Sequence, residues 1–340
     1  MTPSSATLSD VAERVGVSRT TVSNAYNRPN QLSPALRDRI LLAAAELGYA
    51  GPNPIARGLR RGTTNTVGLV FDNPLTYAFT DPAAVLFLSG VAAGCEERGS
   101  ALSLIPRLGD EAAEIVRSAL VDGYLFFCTD EDDARLEAAR GRGLPIVLVD
   151  YDPRDGTAQV GIDDREGARL AAQHLVDLGH RRFGIVLPHK EHLVGGAFER
   201  CHVRDVRLAG WRDALEAAGV EWDSVPVEVA DLSGVDTGAR AAGALLDRSE
   251  RPTAIIALSD VLAIGVLRAA AARGVDVPGD LSVVGFDDVP EAEAARLTTI
   301  RQPHSEKGAA AVRLLADGAP PETVTLPIEL VVRASTAPAS

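Results

Sequence analysis

The chain has 340 residues, enough for two or three compact units that each bury a hydrophobic core. Its three cysteines are widely spaced and odd in number, which argues against a disulfide framework or a zinc finger and favours a reducing compartment. No stretch approaches the roughly 20 apolar residues of a membrane span, and the amino terminus lacks a basic segment followed by an apolar one. We therefore expect a cytoplasmic protein that does not enter a membrane.

The net charge of −13 is unevenly distributed along the chain. Residues 1–62 contain eight arginines and four carboxylates, a net charge of +4, which leaves −17 for all other residues. A polyanion would therefore meet the amino-terminal part, while the acidic remainder discourages indiscriminate binding. This distribution indicates a small basic head on a large acidic body.

Three short helices are predicted in the head. Thr7 and Asp10 are spaced as a capping box, and Gly16 is suited to end the first helix. A second helix begins after Ser18, following a turn of only a few residues, and Ser33 caps a third. The predicted apolar face of the third helix consists of Leu36, Ile40, Ala43, Ala44 and Leu47.

The first two helices are typical of a helix-turn-helix, because a tight, glycine-containing turn joins them and the second begins with polar side chains. Such a second helix fits the major groove, where base edges are read by hydrogen bonds and apolar contacts. Val22 and Tyr26 can face inward. An ordinary helical hairpin with a solvated polar face is the alternative at this stage.

The segment "NPIARGLRRG", residues 53–62, has the residues of a complete short helix. Asn53 suits an N-cap, Pro54 the first helical position and Gly62 the end. Helices shorter than about 12 residues are marginal in water. We therefore expect this helix to form only against a partner. Near its carboxyl end, Leu59 is a single large apolar side chain beside Arg60 and Arg61.

The body alternates buried strands with helices. The predicted strands are "NTVGLVF", "ALSLIP", "DGYLFFC", "LPIVLVD", "RRFGIVLP", "PTAIIALS" and "LSVVGFDD". Continuous apolar strands separated by helices imply parallel sheets covered on both faces, an α/β architecture, and the length favours two lobes. Ligands in such folds bind beyond the carboxyl ends of the strands, so polar residues just after strands are candidates for a site.

Enzyme motifs are absent from the sequence: neither a phosphate-binding loop, nor a nucleophile elbow, nor a dinucleotide fingerprint occurs. His189 and His192 could begin a metal site, but a solvated loop explains them better. Asp287 and Asp288 could form an acid–base pair, although adjacent residues of an extended chain point to opposite faces, so one of them facing a polar ligand is favoured. We predict no catalytic residues, no metal and no cofactor.

The motifs together resemble the lactose repressor (LacI/GalR) family of bacterial transcription regulators. The head "TLSDVAERVGVSRTTVSNAYNRPNQLSPALRDRILLAAAELGYAGPNPIARGLRRGTTNTVGLV" matches it nearly end to end. The body adds "VGIDDREGARLAAQHLVDLGHRRFGIV", "RLAGWRDAL", "SDVLAIGVLRAA", "LSVVGFDDVPEAEAARLTTIRQP" and "ELVVRAST" in the family's order, so the match spans about residues 7–336. The resemblance implies a homodimer on a pseudo-palindromic double-stranded operator.

The resemblance assigns the contacts of the recognition helix by position. Arg19 and Thr20 correspond to the main base-reading pair, and Ser18, Thr21 and Ser23 to residues nearer the phosphates.

Other head positions are less distinctive. Many relatives have arginine where this chain has Asn24, and asparagine favours adenine whereas arginine favours guanine, so the operator is expected to differ at that base. Thr7, Leu8 and Asn27 match positions that brace the head on the DNA backbone, and they are equally explained as caps and packing.

Residues 53–62 correspond to the family's hinge helix, two copies of which pair in the minor groove of the operator. In this correspondence Leu59 wedges between base pairs, and the arginines meet phosphates. The hinge residues implied to contact DNA or the partner copy are Asn53, Ile55, Ala56, Arg57, Leu59 and Arg60.

The body resembles two-lobed periplasmic sugar-binding proteins of type I, with the effector in the cleft between the lobes. Arg207 and Asp287 match effector contacts, and Gln302 lies where a cleft or lobe-coupling residue is expected; a salt bridge at a helix start is the alternative for Arg207. Many relatives have asparagine where this chain has Ser259. Aromatic candidates to stack on a sugar ring are Tyr77, Phe79 and Phe198, each also explained by packing.

The resemblance also divides the chain. The expected divisions are a head of residues 1–52, a hinge and linker of 53–64, a core of 65–336 and a tail of 337–340, with an N-lobe of about 65–161 and 292–322 and a C-lobe of about 162–291 and 323–336. We expect a repressor of carbohydrate genes switched by a sugar or sugar phosphate. A nucleoside or purine sensor, a sugar-binding protein without a DNA role, and an inducer or corepressor effect remain open.

Overall fold

The computed structural model forms two units, Met1–Asn65 and Thr66–Ser340. The residues it describes are 6–51, 63–71, 74–106, 111–129, 133–151, 156–188, 202–230 and 233–339. Their helices are α1 (Leu8–Val15), α2 (Arg19–Asn27), α3 (Pro34–Glu46), α4 (Tyr77–Thr80), α5 (Pro82–Arg98), α6 (Ala112–Ser118), α7 (Ala134–Arg140), α8 (Asp164–Asp177), α9 (His202–Ala217), α10 (Val235–Leu246), α11 (Asp260–Ala272), α12 (Pro290–Ala294) and α13 (His304–Ala316).

The strands of the same residues are β1 (Thr66–Phe71), β2 (Ala101–Ile105), β3 (Gly123–Phe127), β4 (Ile146–Val149), β5 (Ala158–Ile162), β6 (Phe183–Pro188), β7 (Val227–Ala230), β8 (Ala254–Ala257), β9 (Ser282–Val284), β10 (Thr299–Arg301), β11 (Thr323–Leu326) and β12 (Glu329–Val331). All seven strands predicted from the sequence are present. The other five, β5, β7, β10, β11 and β12, lack long apolar runs and were not predicted as strands.

The helices α1 to α3 form the described part of the first unit. The predicted capping box is confirmed: the Thr7 N–H donates to Asp10 Oδ2 at 2.7 Å, and the Asp10 N–H donates to Thr7 Oγ1 at 3.4 Å. Gly16 ends α1 in the left-handed conformation, with φ 74°, which glycine adopts without strain. The helices pack on a small core of Val11, Ala12, Val22, Ala25, Ile40 and Ala44.

Leu47 departs from the prediction for the third helix. It is 37% exposed rather than part of the buried face. Helix α3 ends at Glu46, and Leu47 is its capping residue, so the helical register that buries Ile40 and Ala44 does not continue to it.

The second unit contains two parallel sheets, as the alternating pattern predicts. The N-lobe sheet has the order β11-β5-β4-β3-β1-β2, and the C-lobe sheet has the order β7-β6-β8-β9. Neighbouring strands in both sheets run parallel. Helices cover both faces of the N-lobe sheet, with α5 and α13 on one face and α6 and α7 on the other. An antiparallel pair, β10 and β12, completes the architecture.

The chain passes between the lobes at points that differ from the expected boundaries. Strand β11 pairs with β5, so residues 323–326 belong to the N-lobe, whereas we expected them in the C-lobe. Leu297 and Ile300 pack in the C-lobe core, although we expected residues 292–300 in the N-lobe. The hydrogen bonding of short strands decides both cases, and the sequence pattern does not show it.

The predicted tail is part of the C-lobe. The Ala339 N–H donates to the Leu178 carbonyl at 2.7 Å, and the Ala337 N–H donates to Ser282 Oγ at 3.0 Å. Residues 337–339 therefore pack against the lobe instead of extending from it.

Helices α5 and α13 approach each other closely because glycines lie at their crossing. A Cβ atom added to Gly90 would lie 1.8 Å from the Ser305 carbonyl oxygen, and one added to Gly308 would lie 2.3 Å from the Phe87 carbonyl oxygen. This contact fixes the start of α13, which reaches the cleft between the lobes. Among the described residues, no helix is long and apolar enough to cross a membrane.

Candidate nucleic-acid interface and ligand cleft

The amino-terminal end of α2 presents exposed polar side chains. Ser18 caps the helix by accepting from the Thr21 N–H at 3.0 Å, and the two hydroxyls lie 2.8 Å apart. Arg19 and Thr20 follow the cap and are exposed. An arginine and a threonine on the first turn of such a helix are suited to reach base edges in a major groove.

The remaining predicted contacts on α2 are partly engaged within the head. Asn24 Nδ2 donates to Gln31 Oε1 at 3.3 Å. Asn27 Nδ2 donates to the Ser23 carbonyl at 3.0 Å and to Ser23 Oγ at 3.1 Å. The buried Asn27 Oδ1 has no hydrogen-bond partner among the described residues. Asn27 therefore orders the end of α2, which agrees with the structural alternative for this residue.

The hinge contacts predicted from the sequence lie outside the described residues. They are Asn53, Ile55, Ala56, Arg57, Leu59 and Arg60. His189, His192 and Phe198 also lie outside them. Within the described part of the chain, no group of three or more histidine, cysteine, aspartate or glutamate side chains is placed to hold a metal ion.

A cavity of about 330 Å³ lies between the two lobes of the second unit. It opens at the carboxyl ends of β3, β4, β6 and β8, as expected for a ligand site in parallel sheets. Five of the predicted effector residues line it: Tyr77, Arg207, Ser259, Asp287 and Gln302.

The sixth predicted effector residue, Phe79, is not brought to the cavity. It lies on the short helix α4 and is 60% exposed, while Tyr77 and Thr80 of the same helix line the cavity. The helix therefore turns Phe79 away from the site.

Arg207 is buried and fixed by partners from two elements. Its Nε donates to Asp164 Oδ1 at 2.7 Å, and its Nη1 donates to the Leu258 carbonyl at 2.8 Å. Its Nη1 also lies 3.9 Å from Asp287 Oδ1, and its guanidinium lies 3.5 Å from the centre of the Phe286 ring. Arg207 therefore both forms a salt bridge, with Asp164, and lines the cavity.

Asp287 and Asp288 diverge, but for a reason other than an extended chain. Their φ angles are 127° and 58°, a left-handed region that non-glycine residues rarely adopt. Asp287 faces the cavity, whereas Asp288 binds Arg333 at 2.6 Å and Arg301 at 2.7 Å. The unusual backbone therefore assigns one carboxylate to the cleft and the other to a structural ion-pair cluster.

A chain of polar contacts links the two lobes behind the cavity. Gln302 Nε2 donates to Asp287 Oδ1 at 2.7 Å, and Gln302 Oε1 accepts from Lys307 Nζ at 2.7 Å. Lys307 Nζ also donates to both oxygens of Asp150. Since Asp150 follows β4 of the N-lobe and Asp287 follows β9 of the C-lobe, Gln302 and Lys307 connect carboxylates that line the cavity from both lobes.

Burial raises the pKa of several acids at the site. The pKa of Asp81 is raised by desolvation and, to a lesser extent, by the charge of Asp287. The pKa of Asp164 is raised by desolvation, against the opposing effect of Arg207. Desolvation also raises the pKa of the Tyr77 hydroxyl, and the nearby charge of Asp81 acts in the same direction. The hydroxyl and carboxylate groups of this wall form a fixed set of donors and acceptors.

Sequence reasoning missed several residues of this site, among them Asp81, Asp150, Arg204 and His304, which line the cavity, and Asp164 and Lys307, which bind its lining residues. Asp150 is the last residue of the predicted strand "LPIVLVD" and directly follows β4, so the rule that favours polar residues at the carboxyl ends of strands indicates it. His304 and Lys307 follow "TIRQP" in what the sequence shows only as the start of a helix. Ser259, which was predicted, also caps α11 by accepting from the Leu262 N–H at 3.4 Å.

A helix-turn-helix unit and a two-lobed core with an inter-lobe cleft define the class of DNA-binding regulators with a periplasmic-binding-like core. Two family models match accordingly: "Bacterial regulatory proteins, lacI family" over residues 7–53 and "Periplasmic binding protein-like domain" over residues 172–336. Among curated relatives, the HTH-type transcriptional regulator Rv3575c of Mycobacterium tuberculosis is 42% identical over 325 residues, covering 91% of this chain and 90% of that protein. The chain belongs to the LacI family of bacterial transcriptional regulators.

Solved structures of the family extend over nearly the whole chain. A complex of the transcriptional regulator CelR with cellobiose is 32% identical, with a TM-score of 0.71, and the match covers 97% of this chain and 99% of that one. The lac repressor dimer bound to operator and the anti-inducer ONPF is 26% identical, with a TM-score of 0.79, over 98% of this chain and 100% of that one. The type I periplasmic-binding-like fold is thereby shown.

Proposed function

We propose that this regulator is a repressor that binds a pseudo-palindromic operator as a homodimer and is switched by a small neutral molecule in the inter-lobe cleft. The observation that carries the proposal is the polar chain from Asp287 through Gln302 and Lys307 to Asp150. A ligand that contacts Asp287 acts on a network shared by both lobes, so occupancy can change how the lobes close. Such a change is what an allosteric switch requires.

We assign the head residues to DNA by the family positions that they occupy, and Ser18, Arg19 and Thr20 are also exposed. Arg19 and Thr20 read base edges, while Ser18, Thr21 and Ser23 lie nearer the phosphates. Asn24 favours adenine at its position. Thr7 and Leu8 at the start of α1 brace the head on the DNA backbone.

We assign the hinge segment to the minor groove on its sequence alone. Leu59 wedges between base pairs, and Arg57 and Arg60 meet phosphates. The short helix would be marginal without DNA. The operator and the partner copy would then stabilise it, and lobe movement would control it.

Exposed apolar side chains on the core support a dimer. Phe79 and Val85 are 60% and 39% exposed on the N-lobe, and Val227 and Val229 are 42% and 46% exposed on β7, the edge strand of the C-lobe. Burial of such surface between copies is favourable. A dimer would carry two heads for the two halves of the operator.

The cleft fits a neutral polyhydroxylated ligand such as a sugar. Of its described lining residues, Asp81, Asp150 and Asp287 are carboxylates, and the two arginines, Arg204 and Arg207, are each already paired with a carboxylate. Hydroxyl groups can donate to carboxylates and accept from guanidinium groups at once, whereas an anion would face these carboxylates. The cellobiose complex of CelR and a ribose-bound regulator from Enterococcus faecium support the same chemistry.

Linked titrations of operator and ligand test the proposal. An operator is first selected from random DNA. The affinity of the full chain for this operator is then measured at fixed salt, with and without cellobiose, ribose or adenosine. A true effector changes operator affinity by about 5–150-fold, and the operator changes effector affinity by the same factor. If a compound binds the cleft and operator affinity stays constant, the switch is disproved. Chromatography of the recovered compound tests separately whether the protein converts it chemically or releases it unchanged.

A further inference from the structure

The imidazole of His304 is buried and has no hydrogen-bond partner within the part of the chain that the structure describes. His304 begins α13, lines the inter-lobe cavity and is only 5% exposed. Both ring nitrogens are buried, and neither has a partner among the described residues. Its Nε2 lies 3.7 Å from Asp287 Oδ1, which is too far for a hydrogen bond.

A second buried histidine in the same unit shows what a structural role looks like. His180 is 3% exposed, and its Nδ1 lies 3.0 Å from Thr253 Oγ1. Its Nε2 lies 3.0 Å from both Ser282 Oγ and the Ala337 carbonyl oxygen. The two histidines are therefore matched in burial and opposite in hydrogen bonding. Unpaired buried polar atoms are uncommon because they lose their hydrogen bonds to water without replacement.

Surrounding contacts hold His304 in this unpaired position. The close approach of Gly90 to the Ser305 carbonyl fixes the first turn of α13. One turn later, Lys307 is tied to Asp150 and Gln302. The Asp287 oxygen nearest His304 already accepts from Gln302 Nε2 at 2.7 Å. A rotation of the imidazole towards Asp287 is thus opposed by a packed and hydrogen-bonded setting.

We propose that His304 binds the effector directly and, with Asp287, selects a ligand hydroxyl group. The inference rests on the proposed function, since it assumes that the cleft is the effector site. The imidazole Nε2 and Asp287 Oδ1 lie 3.7 Å apart, so a hydroxyl oxygen beside them can be within hydrogen-bond distance of both. Such a hydroxyl donates to the Asp287 carboxylate and accepts from an imidazole N–H. A ligand without a hydroxyl at this point would leave the imidazole unpaired, so the pair discriminates against it.

Two matched substitutions, studied without any ligand, test whether the imidazole of His304 contributes to the stability of the fold. His304→Phe keeps a ring of similar shape and removes the unpaired nitrogens, so the thermal midpoint of the ligand-free protein is expected to hold or to rise by about 2–4 °C. His180→Phe removes bonded nitrogens and is expected to lower the midpoint by several degrees. If His304→Phe lowers the midpoint as much as His180→Phe does, His304 is structural and the inference is overturned.

Ligand-binding measurements on the full chain test whether His304 contributes to effector affinity. The probes are ribose, cellobiose, adenosine and ribose 5-phosphate, measured by calorimetry with the wild type and His304→Phe. Any neutral probe that binds the wild type should bind His304→Phe at least tenfold more weakly, and equal affinity would overturn the inference while leaving the proposed function intact. If none of the probes binds the wild type, the proposed sensing function is contradicted for these compounds, and the stability comparison alone decides the role of His304.

Discussion

Lys307 Nζ lies 2.6 Å from Oδ1 and 2.8 Å from Oδ2 of Asp150, and the lysine side chain is completely buried. A buried charge is stable only with full compensation, which the carboxylate and the Gln302 amide oxygen supply here. The pair therefore holds α13 of the N-lobe beside the cleft, at the point where Gln302 leads into the C-lobe.

Removing the lysine charge alone should destabilise the protein strongly. Lys307→Met leaves Asp150 buried and unpaired, and we expect a loss of about 3–5 kcal/mol in the free energy of unfolding, measured by urea titration. Adding Asp150→Asn should restore part of that loss, because asparagine removes the uncompensated charge and tolerates the left-handed φ of 56° at this position. As a control, Arg268→Ala breaks the exposed pair with Asp236 and should cost at most about 1 kcal/mol. Equal losses from the lysine and arginine variants would disprove the compensation argument.

A single methyl group at the crossing of α5 and α13 should be costly. In Gly90→Ala the new Cβ would meet the Ser305 carbonyl oxygen at 1.8 Å, which forces the helices apart. We expect a loss of about 1–3 kcal/mol or more in unfolding free energy. Gly141→Ala is the matched control, because Gly141 has a helical φ of −60° and its nearest contact would be an ordinary 3.5 Å. A similar effect of both substitutions would contradict the close crossing.

The features that the sequence predicts well are local. Helix caps such as Thr7 and Ser33 need only neighbouring residues, and the apolar runs of β1 and β8 show their burial directly. Strands β10 and β12 have three residues each and pair with each other in one short antiparallel ladder, so no long apolar run predicts them. Residues 323–326 form β11, which belongs to the N-lobe because it pairs with β5, and the sequence pattern does not show this long-range pairing.

The site was predicted in part for the same reason. Asp287 and Arg207 occur in recognisable motifs, but the partners that set their geometry are distant in sequence, such as Asp164, 43 residues before Arg207. Asp287 and Asp288 were expected to diverge along an extended chain, and they diverge through left-handed backbone instead. The unpaired state of His304 is a property of packing that a single sequence does not encode in any motif.

Asp260 should give the stability a distinct pH dependence. Burial and the nearby charge of Asp287 raise its pKa to about 7, against hydrogen bonds from Thr299 and the Val289 N–H. Between about pH 4 and pH 7 the unfolded chain has lost this proton while the folded protein keeps it, so this group makes stability fall as pH rises through that window.

Asp260→Asn removes this titration and keeps an oxygen that accepts from the Val289 N–H. Urea unfolding of both proteins from pH 4 to pH 8 should show a flatter profile for the variant, with the difference confined to that window. Parallel profiles would show that the Asp260 pKa is not raised by folding.

Arg19 should contribute to operator recognition more than an equally charged residue elsewhere. It is exposed directly after the Ser18 cap of α2, where its guanidinium can bind a guanine edge in two hydrogen bonds. Arg19→Ala should weaken binding to the selected operator by about 1–3 kcal/mol and relax the preference at one base pair in each half-site. The matched control is Arg212→Ala, which also removes one positive charge. Arg212 forms an exposed ion pair with Glu216 on the surface of the second unit. Fluorescence anisotropy with the operator and with single-base variants at fixed salt measures both effects, and an unchanged base preference in Arg19→Ala would reassign this arginine to the phosphates.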